Sequence, residues 1–241
     1  MKERIKVGCM LIFLYALLTM AGRAFVLVPG VPDLHLSALL SLTYGMLFGR
    51  FGAFMAGLGA LLGAMAVLAQ PVLFPFEFLT AFLSAYLPFR VWQGMRSERE
   101  PVLLVYDGRT RTMALVLSIL SAVPVGLWMA FGAEMLKIVP FTRAFLPVTV
   151  PTLLFSIIGG QTVFSYAGRY FFLEGGKALW EPLKDDRWTS HLLAVAILRI
   201  TLTALAVAAG FCWLFQSDFG QPVIQYTIGA LSVVILIMTG M

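Results

Sequence analysis

Apolar residues run through this chain in long blocks, broken by short polar punctuation. Eight blocks can be drawn, at residues 5–28, 36–48, 51–69, 75–92, 112–133, 148–172, 191–215 and 222–241. A helix crossing the hydrocarbon core needs about 20 apolar residues, and most of these blocks meet that length. The second block is the exception. Its residues reach only about 20 Å as a helix, short of the hydrocarbon thickness. It is either a span extended by its flanks or one half of a re-entrant pair. The punctuation is specific: Pro29-Gly30 closes the first block, and Gly49-Arg50-Phe51-Gly52 separates the second from the third. Gln70-Pro71 is a short uncharged link, and residues 134–147 form a longer amphipathic connection expected to cap something from outside.

Composition turns this pattern into a fold class. Charged residues make up 12% of the 241 positions and hydrophobic residues 60%. A soluble domain carries about 25% charged residues, so this surface is built for lipid. Lipid requires each backbone polar group to be satisfied within the segment. The expected fold is therefore an all-α integral membrane protein, a polytopic bundle of about eight transmembrane helices. No small-residue cleavage site follows the first block before Pro29, so that block reads as a retained span. Cys9 and Cys212 fall near opposite faces of the bilayer, too far apart to pair.

Charge then sets the orientation. The net charge is +5, and the cations lie in short loops, which marks them as topology determinants and not as a nucleic-acid surface. The amino terminus carries Lys2, Arg4 and Lys6, and the turn between blocks two and three carries Arg50. The fourth-to-fifth connection has Arg90, Arg96, Arg99, Arg109 and Arg111, and the sixth-to-seventh has Arg169, Lys177, Lys184 and Arg187. Arg23, Lys137 and Arg143 fall near the other face, and Arg199 lies inside the seventh block. The bias predicts both termini on the cytoplasmic side. The site expected is the inner (cytoplasmic) membrane of a bacterial cell, in a multi-pass chain.

Ionisable groups inside membrane segments are costly and are functional candidates by default. Glu77, at the outer start of the fourth block, is the sharpest; it is expected to meet either Arg23 or a cationic ligand group. Asp33 and His35 lie in the first outer loop, and Gln161 follows Gly159-Gly160 in the sixth block. Arg23, Asp33, His35, Glu77 and Gln161 are the candidate substrate-binding residues, with Gln161 weighed against an interhelical hydrogen bond. Arg199 is expected to snorkel to the inner headgroups and His191 to be interfacial. No phosphate-binding glycine loop, metal-ligand spacing or nucleophile–base arrangement is legible, so no enzyme activity, cofactor or metal is expected.

Small residues recur every four positions in the third block, at Gly52, Ala56, Ala60 and Ala64, with Gly59 and Gly63 beside them. Such a stripe lets backbones approach closely and gain dispersion contact. Its neighbour is either another helix of this chain or a partner subunit. Ala16 and Ala24 offer a sparser pair in the first block, and with the stripe they are the candidate partner interface.

One family resemblance rests on residues 23–92. Its marks are Pro29-Gly30, then Leu47-Phe48-Gly49-Arg50-Phe51-Gly52-Ala53, then Ala56-Gly57-Leu58-Gly59 and Gly63. It closes on Ala85-Tyr86-Leu87-Pro88-Phe89-Arg90-Val91-Trp92. This resembles the substrate-binding S components of energy-coupling factor (ECF) transporters, which import vitamins and other micronutrients. The resemblance implies a six-helix bundle that binds a small molecule near its outer face. It also implies a membrane coupling subunit and two cytoplasmic ATPases as partners. Residues 1–172 would form the bundle; 173–241 would add a cytoplasmic loop and two further helices. The chain departs from the pattern in those two helices, in Gly63-Ala64-Met65 where a polar residue is common, and in the wide Ala16–Ala24 spacing. A second class competes. Eight helices and the 76–87 segment also look like membrane sensor modules that precede bacterial signalling domains, although no output domain follows within these residues.

Overall fold

A computed structural model describes residues 2–24, 35–67, 71–95, 108–173 and 191–214, all helix and turn, with no strand among them. Helix α1 is Lys2–Gly22, α2 is Ala38–Ala66, and α3 is Phe74–Met95, entered through a 3-10 turn at Pro71–Leu73. Helix α4 is Gly108–Met135. Helices α5 (Phe141–Leu154) and α6 (Gln161–Leu173) are joined without a break by a π-helical segment, Phe155–Gly160. Helix α7 is His191–Leu214. Among the described residues, five stretches are long and apolar enough to cross a membrane: Arg4–Gly22, Ala38–Ala66, Pro71–Met95, Thr110–Met135 and Phe141–Phe171. The protein is thus a multi-pass helical membrane protein. The eighth block lies outside the described residues.

Blocks two and three form one helical run with a reversal inside it. Gly49 has φ 56° and ψ −133°, a conformation open to glycine and strained for other residues. Contacts with α1 show what this does. Tyr44 Oη donates to the Leu11 carbonyl (2.8 Å), and Tyr15 Oη meets Ser41 Oγ (2.9 Å), so the first arm runs antiparallel to α1. Gly8 faces Phe51 and Met55, Gly59 faces Tyr15, and Gly63 faces Ala16 and Thr19, so the second arm runs parallel to it. The chain therefore folds back on itself at Gly49. A side chain on Gly52 would overlap the Tyr44 carbonyl. On the other side of the first arm, a Cβ on Gly45 would overlap the Ala85 carbonyl of α3.

Helix α4 is the most enclosed span and α1 the least. Along α1, Met10, Phe13, Leu14 and Leu17 are exposed, an apolar face suited to lipid. Helix α7 buries Ala194, Ile197, Thr201, Ala204 and Ala208, alternating three and four residues apart, and packs that stripe on α3, α4 and α5.

The connection expected at 134–147 is much shorter. Helix α4 ends in a Schellman turn: Ile138 N–H donates to the Ala133 carbonyl (2.8 Å) and Lys137 N–H to the Glu134 carbonyl (2.9 Å). Helix α5 already begins at Phe141, because the Glu134 carboxylate accepts the Phe141 N–H and caps the helix start. Pro147 and Pro151 sit inside α5. The Thr149 and Thr152 hydroxyls donate back to the Phe145 and Val148 carbonyls four residues before them, so neither buried hydroxyl is left unsatisfied.

Candidate functional site

One end of the bundle collects polar side chains from four elements. Helix α1 ends at Gly22, which delivers Arg23 into the following turn, where Arg23 N–H donates to the Thr19 carbonyl. Helix α3 starts at Phe74, so Glu77 lies in its first turn. Arg23 Nη2 meets Glu77 Oε1 at 2.5 Å. The Glu77 side chain is 2% exposed and that of Arg23 12%, so the pair is withdrawn from solvent. A buried charge without such a partner would be very costly; each residue makes the other tolerable.

Beside the pair lies a cavity lined on its polar side by Tyr15, His35, Ser37, Ser41, Glu77 and Thr80, with Ala60 and Val125 among its apolar walls. Its water-accessible volume is ≈ 10 Å³, room for about one water and far below the about 300–1,000 Å³ of ligand pockets. No solute-sized space is open between these side chains. The reversal at Gly49 is what builds it, since Ser41 comes from the first arm of α2 and Ala60 from the second. Internal hydrogen bonds order the walls: Tyr15 with Ser41, the Thr19 hydroxyl to the Tyr15 carbonyl (3.0 Å) and the Thr80 hydroxyl to the Glu77 carbonyl (3.0 Å). His35 is buried at the entry to α2, where its carbonyl accepts the Ala38 N–H (3.0 Å). Comparison with protein-family models, curated proteins and solved structures gives no match. The site's chemistry therefore rests on these side chains alone. Among the described residues no three His, Cys, Asp or Glu side chains group as a metal site.

Of the sequence candidates, Arg23, His35 and Glu77 come together at this end. Asp33 lies outside the described residues. Gln161 is elsewhere: its Nε2 donates to Ser118 Oγ (3.3 Å), and Ser156 Oγ donates to the Ser118 carbonyl (3.0 Å), tying α6 and the π segment to α4. Ser118 precedes the cavity-lining Val125 by two helical turns, about 10 Å. Gln161 also borders an open groove on α6 with Thr162, Ser165, Tyr166 and Arg169. Gly52, Ala56, Ala60 and Ala64 are buried within the chain, and Ala16 lies against Gly59 and Gly63. Only Ala24 is exposed. The small-residue stripe, as placed, packs α2 inside the bundle. Arg199 and His191 are on the exposed side of α7, and Cys9 is exposed on α1.

Tyr15, Ser37, Ser41 and Thr80 were not among the candidates. A signal existed: Ser37 and Ser41 are four apart, and Glu77, Thr80 and Ser84 follow helical spacing, each set a polar stripe in apolar sequence.

Proposed function

We propose that this protein is the solute-binding membrane subunit of an importer. It takes a small polar molecule of the vitamin or micronutrient class at the Glu77 end and is energised by separate ATPases through a membrane coupling subunit. The observation that carries this reading is the buried Arg23–Glu77 pair beside a closed polar cavity. A cavity that shares its wall with an ion pair can open by exchanging that pair for contacts to a ligand carrying matching charge or hydrogen-bonding groups. In this reading the chain makes eight passes, with both termini and the Arg50 turn on the cytoplasmic side and the Glu77 end facing out. The sequence resemblance to S components agrees with this assignment.

The test combines binding, partner and topology. Glu77→Gln is expected to weaken solute binding or uptake about tenfold or more. An ATPase is expected to copurify under mild solubilisation. Single cysteines at 97 and 186 are expected to resist an impermeant thiol reagent in intact cells, and one at 217 to react. Normal binding by both Glu77→Gln and Arg23→Gln would place the site elsewhere, and labelling at 97 without lysis would overturn the orientation.

A second reading has one specific support. The stripe assigned to the coupling partner is covered by α1 and the rest of the bundle, which favours a sensor module that binds the same solute and signals without transport. A kinase or cyclase partner, in place of an ATPase, would establish it.

A further inference from the structure

The opposite end of α3 carries a second polar cluster with a different charge balance. Tyr86 lies on α3, and Arg90 follows one turn later. Arg50 sits beside the Gly49 reversal, so the fold-back of α2 brings it to the same ring. Arg50 Nε donates to Tyr86 Oη (3.1 Å), and the Cζ atoms of Arg50 and Arg90 each lie 5.8 Å from the Tyr86 ring centre. Arg90 is 8% exposed, yet among the described residues its Nε has no hydrogen-bond partner. Neither arginine pairs with a carboxylate among the described residues. The phenol ring offers both cations a π face, worth about 0.5–2 kcal/mol, well below what a buried guanidinium loses on leaving water.

We propose that Arg50 and Arg90 form a binding site for a phosphate group. Two cations around one neutral phenol, one of them enclosed and with a donor unspent, are complementary to an oxyanion. The planar guanidinium matches phosphate oxygens two at a time. The position is suitable. Arg90 is five residues from the end of α3, about 8 Å of helix, which is the depth of a headgroup layer at the end of a membrane span. The Gly49 turn fixes Arg50 at the same level. The same chemistry comes from two sources, the headgroup of an anionic phospholipid or a free phosphate compound in the adjacent water.

The experiment measures thermal stability of the full chain in a non-ionic maltoside detergent. Phosphatidylglycerol, phosphatidylcholine or inorganic phosphate is added in parallel, with chloride at equal ionic strength as reference. Stabilisation by phosphatidylglycerol but not by inorganic phosphate supports the site with lipid as its source. Stabilisation by inorganic phosphate supports it with a free phosphate as its source. In either case Arg90→Gln is expected to raise the midpoint concentration about tenfold or more, the loss of one charge-assisted contact. Arg50→Gln, at the half-exposed turn, is expected to do the same and serves if Arg90→Gln does not fold. No stabilisation by either phosphate source overturns the proposal. So does equal stabilisation by phosphatidylcholine, or stabilisation that both variants retain.

Discussion

At one end of α3 a carboxylate and a guanidinium meet; at the other, two guanidiniums gather around one phenol. The two ends are thirteen residues apart on one helix, about 20 Å. Both are built by the same device, since the reversal at Gly49 places Ser41 near Glu77 and Arg50 near Tyr86. They differ in what is left over. The Glu77 end is neutral as a unit and encloses a small cavity, so a ligand there must compete with an existing bond. Among the described residues the Arg90 end holds surplus positive charge, so an anionic ligand there would meet an unmet demand. A closed, self-paired site suits a solute that must be released again; a surplus of charge suits an anion that stays.

The largest contrast should come from removing one charge at each end. Glu77→Gln orphans Arg23 in a dry environment and is expected to cost about 3 kcal/mol of stability. Arg90→Gln orphans nothing, and in detergent free of phosphate and anionic lipid it is expected to change stability by less than about 1 kcal/mol. Denaturation of both variants in maltoside checks this, and equal losses would erase the contrast. A double-mutant cycle sharpens it: Arg23→Gln combined with Glu77→Gln should be more stable than Glu77→Gln alone by about 1 kcal/mol or more, because neither charge is then orphaned.

Next in size is the turn that serves both ends. Gly49→Ala forces a Cβ into a strained conformation and is expected to cost about 1–3 kcal/mol. It should also weaken the phosphate effect while leaving the Arg23–Glu77 coupling energy unchanged. The smallest effect is a gain. Lys137 closes the Schellman turn with φ 55°, where glycine is free of steric penalty. Lys137→Gly is expected to stabilise by about 1 kcal/mol or less without altering either end, a control read in the same melts.

Much of the helical plan was legible, because lipid permits few alternatives to a long apolar helix. Residues 75–92 and 112–133 lie within α3 and α4. The 49–52 punctuation was legible too, since two glycines flanking a charged residue interrupt apolar sequence. Its consequence, a reversal between blocks two and three with Arg50 at the turn, was legible as well; which side chains the two arms bring together was not. The match of Glu77 with Arg23 followed from the cost of an intramembrane charge. Tyr15 and Ser41 were hidden because they meet only when the first arm of α2 packs antiparallel on α1. The stripe at Gly52, Ala56, Ala60 and Ala64 was plain in spacing, but an internal neighbour and a partner subunit demand the same small residues. Residues 141–147 read as a connection because Pro147 disfavours helix interiors; the Glu134 cap that starts α5 at Phe141 is a tertiary contact that propensity does not contain.

If the Glu77 end receives a small polar solute, as proposed, that binding is separate from the chemistry at Arg90. The most direct measurement is a native mass spectrum of the protein released from mild detergent, recorded for wild type, Glu77→Gln and Arg90→Gln. A small-molecule adduct is expected on the wild type and on Arg90→Gln and is expected to be lost from folded Glu77→Gln. An adduct that survives Glu77→Gln, or disappears only with Arg90→Gln, would contradict it.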